Sequence, residues 1–579
     1  MRKGLPAGID SFERVRKGNY YFVDKSLALK DLLDPAPAAV TLLTRPRRFG
    51  KSMLLSMFRN FLDIGQAGTD LFTGLKIHDD KEFCDLYFHQ YPVIYLSFKE
   101  IIPTSPSDEK SARAALIKTV GETAEGFAFL LTSEKLNESD KMAFRRISTR
   151  NRDMMEGDEF MIADDSLRGS LKTLSRLLHK HYGVPTVILI DEYDVPLDKA
   201  FSGGYYHLFI NLYKSFLSSV LKSNDDLAFA VMTGCLKISE ESIFTGLNNL
   251  TVMDVIRYDM DEYFGFTQQE TEELLTCYGL SDYKEMVKAF YDGYHFGSQL
   301  VYNPWSVISF VKDAVSAVRK GKEPIPPSGW MNSSQNAILE TLMKQADADV
   351  RRDLQALSDG KTIVKKLNDH VTYPHLFDTP EHIWTVLLHT GYLTCTTLSP
   401  DGMAHLMIPN EEVHRSFDEC INQWAMKTTE EGKNLKQFCD AVETFNPDKI
   451  QQAIQILLKD VVSIRDTAAK SVRENYYHGI LNCAVSYRQN WLRYSNPETG
   501  EGYCDIAIED PDFSWGIIFE LKFAEKGKFE NALKEAESQI HTCHYAEMLE
   551  EDGVKRKYLY AMAFHGKNCR VRQVNTCGS

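Results

Sequence analysis

Short apolar runs punctuate the first 250 residues. "AAVTLLTR", "YPVIYLSF", "PTVILIDEYD" and "LAFAVMTG" each have strand length, and the stretches between them repeat apolar residues at helical spacing. Strands alternating with helices predict a parallel sheet covered by helices, and the unbroken "VILI" suits a strand buried on both faces. This α/β domain is expected over 1–260, with a polar, helix-prone insertion or helical arm at about 108–165. From Glu262 the pattern turns mostly helical, broken by the loop signal "GKEPIPPSGW". Further on, "EHIWTVLLHTGYLTCTTLSPDGMAHLMIPNEEVHRSF" reads as helix, two short strands around a turn at Pro400 to Gly402, then helix. That order suits a winged-helix-like module or a plain helix-hairpin connector, so 261–427 is read as a helical lid and winged-helix-like region. An amphipathic helical linker follows at 428–470. A last α/β domain, 471–579, is announced by "YCDIAIEDPDFSWGIIFELKFA", two strands around the turn signal "DPDF".

At 579 residues the chain is too long for one core, in keeping with this division. Hydrophobic residues at 43% and charged residues at 25% exclude wholesale disorder. The N-terminus has no apolar leader pattern and no run approaches bilayer length, so a cytoplasmic location with no membrane partner is expected. Eleven cysteines without a CxxC pair suit a reducing compartment. A formal net charge of -15 argues against a broad nucleic-acid coat, so any contact with nucleic acid is expected to be local.

Chemistry is first signalled by "TRPRRFGKSM". In the phosphate-loop spacing GxxxxGK[ST], backbone N–H groups wrap phosphates, the lysine reaches the terminal phosphates and the hydroxyl meets magnesium. Here Arg45 stands where the first glycine is expected, yet "FGKS" follows an apolar strand and opens a helix, which is the required context. Arg45, Pro46, Arg47, Arg48, Phe49, Gly50, Lys51 and Ser52 are therefore the candidate nucleotide loop. About 140 residues on, "VILIDE" ends a buried strand in two carboxylates. Asp191 is placed to hold Mg²⁺ together with Ser52, and Glu192 to orient the attacking water. Thr233 ends the next apolar strand, where a γ-phosphate sensor belongs. No guanine-reading motif is present, so ATP is expected rather than GTP.

The second candidate lies in the C-terminal hairpin. A turn centred on Asp512 and Phe513 puts Asp505 directly opposite Glu520, with Cβ atoms about 5 Å apart. Two such carboxylates repel unless a cation lies between them. Lys522, two residues beyond Glu520, shares its face. A plain surface hairpin with Lys522 bridging Glu520 is the alternative.

Several segments in order, "GIDSFERVRKGNYYFVDKSLALKDLL", "TRPRRFGKSM", "LIDEYDVPL", "TGCLKISEESIFTGLNNL", "YDGYHFG" with "VYNPWSV", and "YCDIAIE…IIFELKF", resemble the bacterial AAA-ATPase-like proteins fused to a PD-(D/E)xK nuclease-superfamily domain. The resemblance covers essentially the whole chain, and in that family the arginine-rich loop is usual. It implies an α/β fold: a P-loop NTPase domain with a parallel sheet, a helical lid and winged-helix-like middle region, and a C-terminal α/β nuclease-like domain. Lys237 departs from the arginine expected after "TG". Asp505, Glu520 and Lys522 are then the metal-binding and catalytic trio of a Mg²⁺-dependent nuclease. "RENYYHGILNCAV" resembles the first helix of that fold, from which Glu474 adds a third carboxylate, and Gln539 has polar counterparts in the superfamily. The expected function is an ATP switch that controls cleavage of nucleic acid, in a setting of defence against foreign nucleic acid, with homo-oligomerisation a possibility. The alternative is an ATP-driven signalling or oligomerisation module whose nuclease-like domain binds nucleic acid or protein without cutting. "KFAEKGKFE" and "EDGVKRKYLY" are expected near the second site, as phosphate contacts or as solvated helix ends.

Overall fold

The computed structural model of the chain describes residues 3–99, 101, 108–151, 159–236, 250–327, 348–368, 373–376, 379–418, 433–461, 473–485, 487–488, 490–495, 498–499 and 502–574. They form two compact units, 1–335 with 360–414, and 336–359 with 415–579. Of the expected lid region, 261–335 and 360–414 thus belong to the same unit as the N-terminal sheet, and 336–359 with 415–427 to the other.

In the first unit, β1 (Val40–Thr44), β2 (Val93–Ser97), β3 (Thr186–Asp191), β4 (Leu227–Gly234) and β5 (Leu250–Met253) form one sheet in the order β2-β3-β4-β1-β5. Every pairing is parallel. Apolar β1 and β3 are buried at every position, so strands this hydrophobic sit inside the sheet with helices on both faces. The register sets Thr44 beside Gly234 and Ser97 beside Asp191, which lines up the C-terminal ends of four strands at one mouth. In open parallel sheets that mouth is where ligands bind. Helix α1 (Lys51–Leu62) leaves it directly after the arginine-rich loop. The expected helical insertion contains α2 (Glu109–Glu125) and α3 (Glu138–Ser148); α3 docks on α4 (Ser170–Tyr182) through Asp140, which accepts from Arg176 and Lys180 at 2.7 and 2.9 Å.

Helix α5 (Gln268–Tyr278), the hairpin β6 (Tyr294–Phe296) and β7 (Gln299–Val301), and helix α6 (Pro304–Arg319) complete the wall beside the loop. Asn303 fixes the start of α6 by accepting the N–H groups of Trp305 and Ser306, with Pro304 at its first turn. The helix and two strands expected further on are α7 (Pro380–Thr390), β9 (Thr394–Leu398) and β10 (Met403–Met407). They are joined by β8 (Ile363–Lys366), a strand too short and too polar to signal itself in sequence.

In the second unit, α8 (Lys433–Val442), α9 (Pro447–Val461) and α10 (Arg473–Val485) cover one face of a sheet formed by β11 (Leu492–Ser495), β12 (Ile506–Glu509), β13 (Gly516–Phe523), β14 (Lys557–His565) and β15 (Asn568–Val574). Helix α11 (Phe529–Thr542) crosses between the parallel pair β13 and β14 and covers the other face. The sheet runs in chain order. Ile517, Phe519 and Leu521 pack toward α8–α10, whereas Ile518 packs toward α11; Glu520 and Lys522 share the side of Ile518 by the strand's period of two. The hairpin register pairs Ile506 with Phe519, which continues to Asp505 opposite Glu520 as the turn predicts.

Candidate functional site

At the mouth of the first sheet the loop between β1 and α1 is shaped at two left-handed residues, Arg48 (φ 69°) and Gly50 (φ 88°). Lys51, 4% exposed, donates to the carbonyls of Arg45 and Pro46 at 2.8 and 2.9 Å, so its ammonium is held inside the curl of the loop. Ser52 and Arg47 line the same cleft; Arg47 lies 3.9 Å from Asp198. Arg48 stacks over Trp305 with its guanidinium carbon 3.9 Å from the ring centroid.

Two loop residues depart from the expected role. Arg45 is fully buried and turned away from the cleft. It donates to the carbonyls of Thr44 (2.9 Å), Met253 (2.8 Å) and Asp259 (3.3 Å) and lies over the rings of Phe264 and Phe296. Burial pulls its guanidinium down to about 10, against the pull of Asp254, Asp261 and Asp259. It is a strut between β1 and the chain that follows β5, not an added charge in the cleft. Phe49 packs at 4.8 and 4.9 Å from the rings of Tyr294 and Phe296, so its side chain anchors the loop to the β6–β7 hairpin.

The carboxylates stand opposite. Asp191 is buried and accepts from the Thr233 hydroxyl at 2.5 Å, while the Glu192 N–H donates to the same hydroxyl at 3.3 Å. Thr233 therefore fixes both acidic residues from the neighbouring strand. Burial pushes the Glu192 carboxyl up; Asp191 and Asp194 add to the rise and Lys51 and Arg47 oppose it. Asp194 accepts the N–H groups of Cys235 and Leu236 at 2.7 and 3.0 Å, locking the exit of β4 against the end of β3. Lys237 lies outside the described residues.

Arg47 to Ser52 and Glu192 border a cleft of about 460 Å³, within the usual range for small-ligand sites, while Asp191 and Thr233 lie buried behind Glu192 and do not line it. Its remaining walls come from far along the chain: Ile9, Tyr21 and Phe22 of the N-terminal segment, Phe266 near the start of α5, and Trp305 and Ile308 of α6. "GIDSF", "NYYF" and "YNPW" carry Ile9, Tyr21, Phe22 and Trp305, and their place in the motif set is the signal that could have marked these four; Phe266 and Ile308 lie outside it.

In the second unit Asp505 and Glu520 meet as the register requires. Asp505 Oδ2 accepts the Leu521 N–H at 2.7 Å. Glu520 is 1% exposed; its Oε1 accepts from Lys522 at 3.0 Å, and its Oε2 is buried with no hydrogen-bond partner among the described residues. Burial, reinforced by Asp505 and opposed by Lys522, pushes the Glu520 carboxyl up to about 7. His478 of α10 shares a hydrogen bond of 2.8 Å with the Asp505 carbonyl, tying that helix to the start of β12. Glu474 lies four residues earlier on α10; its side chain is outside the described residues. Gln539 donates to the hydroxyl of Tyr545 at 2.9 Å, and burial with the charge of Glu520 raises that phenol. Tyr545, His478 and Cys504, whose thiol is pushed up by burial and by Glu520, are neighbours that sequence reasoning missed.

A divalent cation fits this pair: one carboxylate oxygen is orphaned in a buried place, and a second carboxylate faces it. Among the described residues, no group of three or more His, Cys, Asp or Glu side chains gathers around a point. The two basic stretches differ in position. "KFAEKGK" follows the Glu520 end of β13, whereas Lys557 pairs with Gly516 at the opposite end, four residues or about 13 Å from the level of Glu520.

Comparison with known proteins agrees with this two-part layout. Residues 6–244 match the family model described as "Predicted AAA-ATPase". Residues 472–574 match that of the PD-(D/E)XK nuclease superfamily. The chain therefore joins an AAA-ATPase-like domain to a PD-(D/E)XK nuclease-superfamily domain. A protein of Azotobacter chroococcum mcd 1 described as "Uncharacterized protein in vnfD 5'region" is 29% identical over 429 residues, 72% of this chain and 70% of that relative. Among the described residues no helix is long and apolar enough to cross a membrane.

Proposed function

We propose that the N-terminal unit binds and hydrolyses ATP, and that this switch controls a Mg²⁺-dependent nuclease in the C-terminal unit, acting against foreign nucleic acid. The observation that supports it most is the orphaned oxygen of Glu520 beside Asp505. A buried carboxylate oxygen without a partner costs stability and has no structural return, whereas a cation offsets the cost and gives the hairpin a task.

In the first unit Lys51 exchanges its two loop carbonyls for the terminal phosphates. Ser52 and Asp191 hold Mg²⁺, with the Asp191 carboxylate oriented by Thr233. Glu192, whose proton affinity is raised by burial, takes the proton of the attacking water. In the second unit Asp505 and Glu520 hold the metal and Lys522, on the same face, orients the nucleophile or offsets charge on the phosphate. When bound, Mg²⁺ lowers the pKa of its water and stabilises charge on the phosphate.

The test is a nuclease assay on the full chain with Mg²⁺, DNA and RNA, with and without ATP. Wild type is expected to cut, Glu520→Ala to lose cutting, and Lys51→Ala to lose its dependence on ATP. Cutting retained by Glu520→Ala removes the site assignment. A second reading, binding without cleavage, draws on the described residues supplying only two carboxylates. It is favoured by an inactive wild type whose mass in light scattering changes with ATP.

A further inference from the structure

Behind the roof of the nucleotide cleft lies a second recess, about 430 Å³, lined by Lys3, Leu5, Ala7, Tyr278, Lys312, Val315 and Arg319. Its lining contains three cations and no carboxylate. None of the three has an ion-pair or side-chain hydrogen-bond partner among the described residues, in a chain that carries 81 acidic against 66 basic residues. Arg319 sits in the last turn of α6, where the helix dipole alone favours a cation. That account does not reach Lys312, in the middle of the helix, or Lys3, on another segment.

The recess shares two structural members with the nucleotide cleft. On α6, Ile308 lines the cleft, and Lys312, Val315 and Arg319 continue the same helical face into the recess. On the N-terminal strap, Pro6, Gly8 and Ile9 line the cleft while Lys3, Leu5 and Ala7 line the recess. The strap is pinned between them: Tyr278 donates to the Lys3 carbonyl at 2.6 Å and the Tyr21 N–H to the Gly4 carbonyl at 2.8 Å.

We propose that this recess is a binding site for a small phosphate-bearing polyanion, distinct from the nucleotide loop, and that its occupancy fixes the strap roofing the cleft. Cations gathered from two segments, without partners among the described residues, repel one another, and a compact anion relieves the repulsion while drawing Lys3 onto α6. A recess of this size, open to solvent at its cationic rim, suits a small molecule rather than a nucleic-acid track. The anion site stands independently; its coupling to the cleft rests on the nucleotide reading.

Inorganic pyrophosphate is the probe, titrated calorimetrically into the full-length Lys51→Ala protein so that the loop is silenced. Saturable binding is expected, weakened about tenfold or more by adding Lys312→Gln and Arg319→Gln, exposed positions whose change leaves the core intact. Binding should also slow hydrogen exchange at the Tyr21 amide. Absence of binding, or equal binding by the substituted protein, overturns the site. So does loss of single-stranded oligonucleotide binding on the same substitutions when pyrophosphate does not bind, since the surface is then a nucleic-acid contact. Binding with unchanged exchange overturns the coupling alone. Failure of wild type to bind ATP tests the nucleotide reading separately.

Discussion

Arg45→Met separates a structural arginine from a ligand-binding one. The guanidinium makes three hydrogen bonds to carbonyls, two of them at 2.8–2.9 Å, and links β1 to Met253 at the end of β5 and to Asp259 beyond it. Methionine fills much of the space and relieves the burial of a charge, but it leaves the Met253 and Asp259 carbonyls without this donor. An unsatisfied buried polar group costs about 1–3 kcal/mol, so a net loss of roughly 3–5 kcal/mol is expected. At about 2 °C per kcal/mol for a unit of this size, the N-terminal transition should fall by roughly 6–10 °C in calorimetry without nucleotide. Arg45→Lys should fall about half as far, because one ammonium cannot span three carbonyls. ATP affinity measured well below the transition should stay within about threefold of wild type, since Arg45 does not border the cleft. A normal melting temperature combined with lost ATP binding would refute the strut and return Arg45 to the phosphates.

Three further outcomes follow from the same geometry. The folded-state carboxyl of Glu520 near pH 7 lies above its ordinary 4.5, so the stability it contributes is present below about pH 4.5 and is lost as pH rises through 7, up to about 3 kcal/mol. Glu520→Gln should therefore raise the chelator-treated C-terminal melting temperature at pH 8 while abolishing cutting, and a lowered one counts against the burial argument. Burial and then Asp552 push Glu509 up to about 7 as well, and it lies at the other end of the hairpin from Asp505; Glu509→Gln should stabilise at pH 8 with the nuclease rate unchanged. A Cβ at Gly234 would meet the Tyr193 ring at 2.5 Å, so Gly234→Ala should destabilise the N-terminal unit by about 2 kcal/mol or more in urea unfolding; a neutral result would mean that the Tyr193 ring moves freely.

What was legible in the sequence was local. "VILIDE" announces a buried strand ending at Asp191, and "FGKS" announces a helix start because glycine and an apolar strand flank it. The hairpin register follows from one turn, since a period of two propagates the pairing from Asp512 to Glu520. What was not legible was decided by partners far along the chain. Nothing in "TRPRRF" says that Arg45 turns toward residues 208 and 214 positions on, or that Phe49 packs on a hairpin near residue 295. The basic stretch at Lys555 to Lys557 was misjudged because distance in sequence from Glu520 does not show that β14 runs parallel to β13, which carries that stretch to the far end. Likewise β8 joins β10 only after the chain returns from elsewhere, with a pattern too short to register.

The missing first glycine then has a physical account. Glycine in a phosphate loop permits tight backbone paths, but a path can also be imposed by side chains on its outer side. Arg45 pins the start of the loop to the end of β5, and Phe49 pins its far side to the β6–β7 hairpin. Arg48, held left-handed at a cost of about 1 kcal/mol, recovers a similar amount by stacking on Trp305. Of the three arginines, one is a strut, one a rim clamp, and Arg47 lies within electrostatic reach of Glu192. Because the loop is shaped from outside by α6 and the β6–β7 hairpin, its conformation depends on the lid elements. A glycine-shaped loop would lack that dependence, and the proposed switch draws on it.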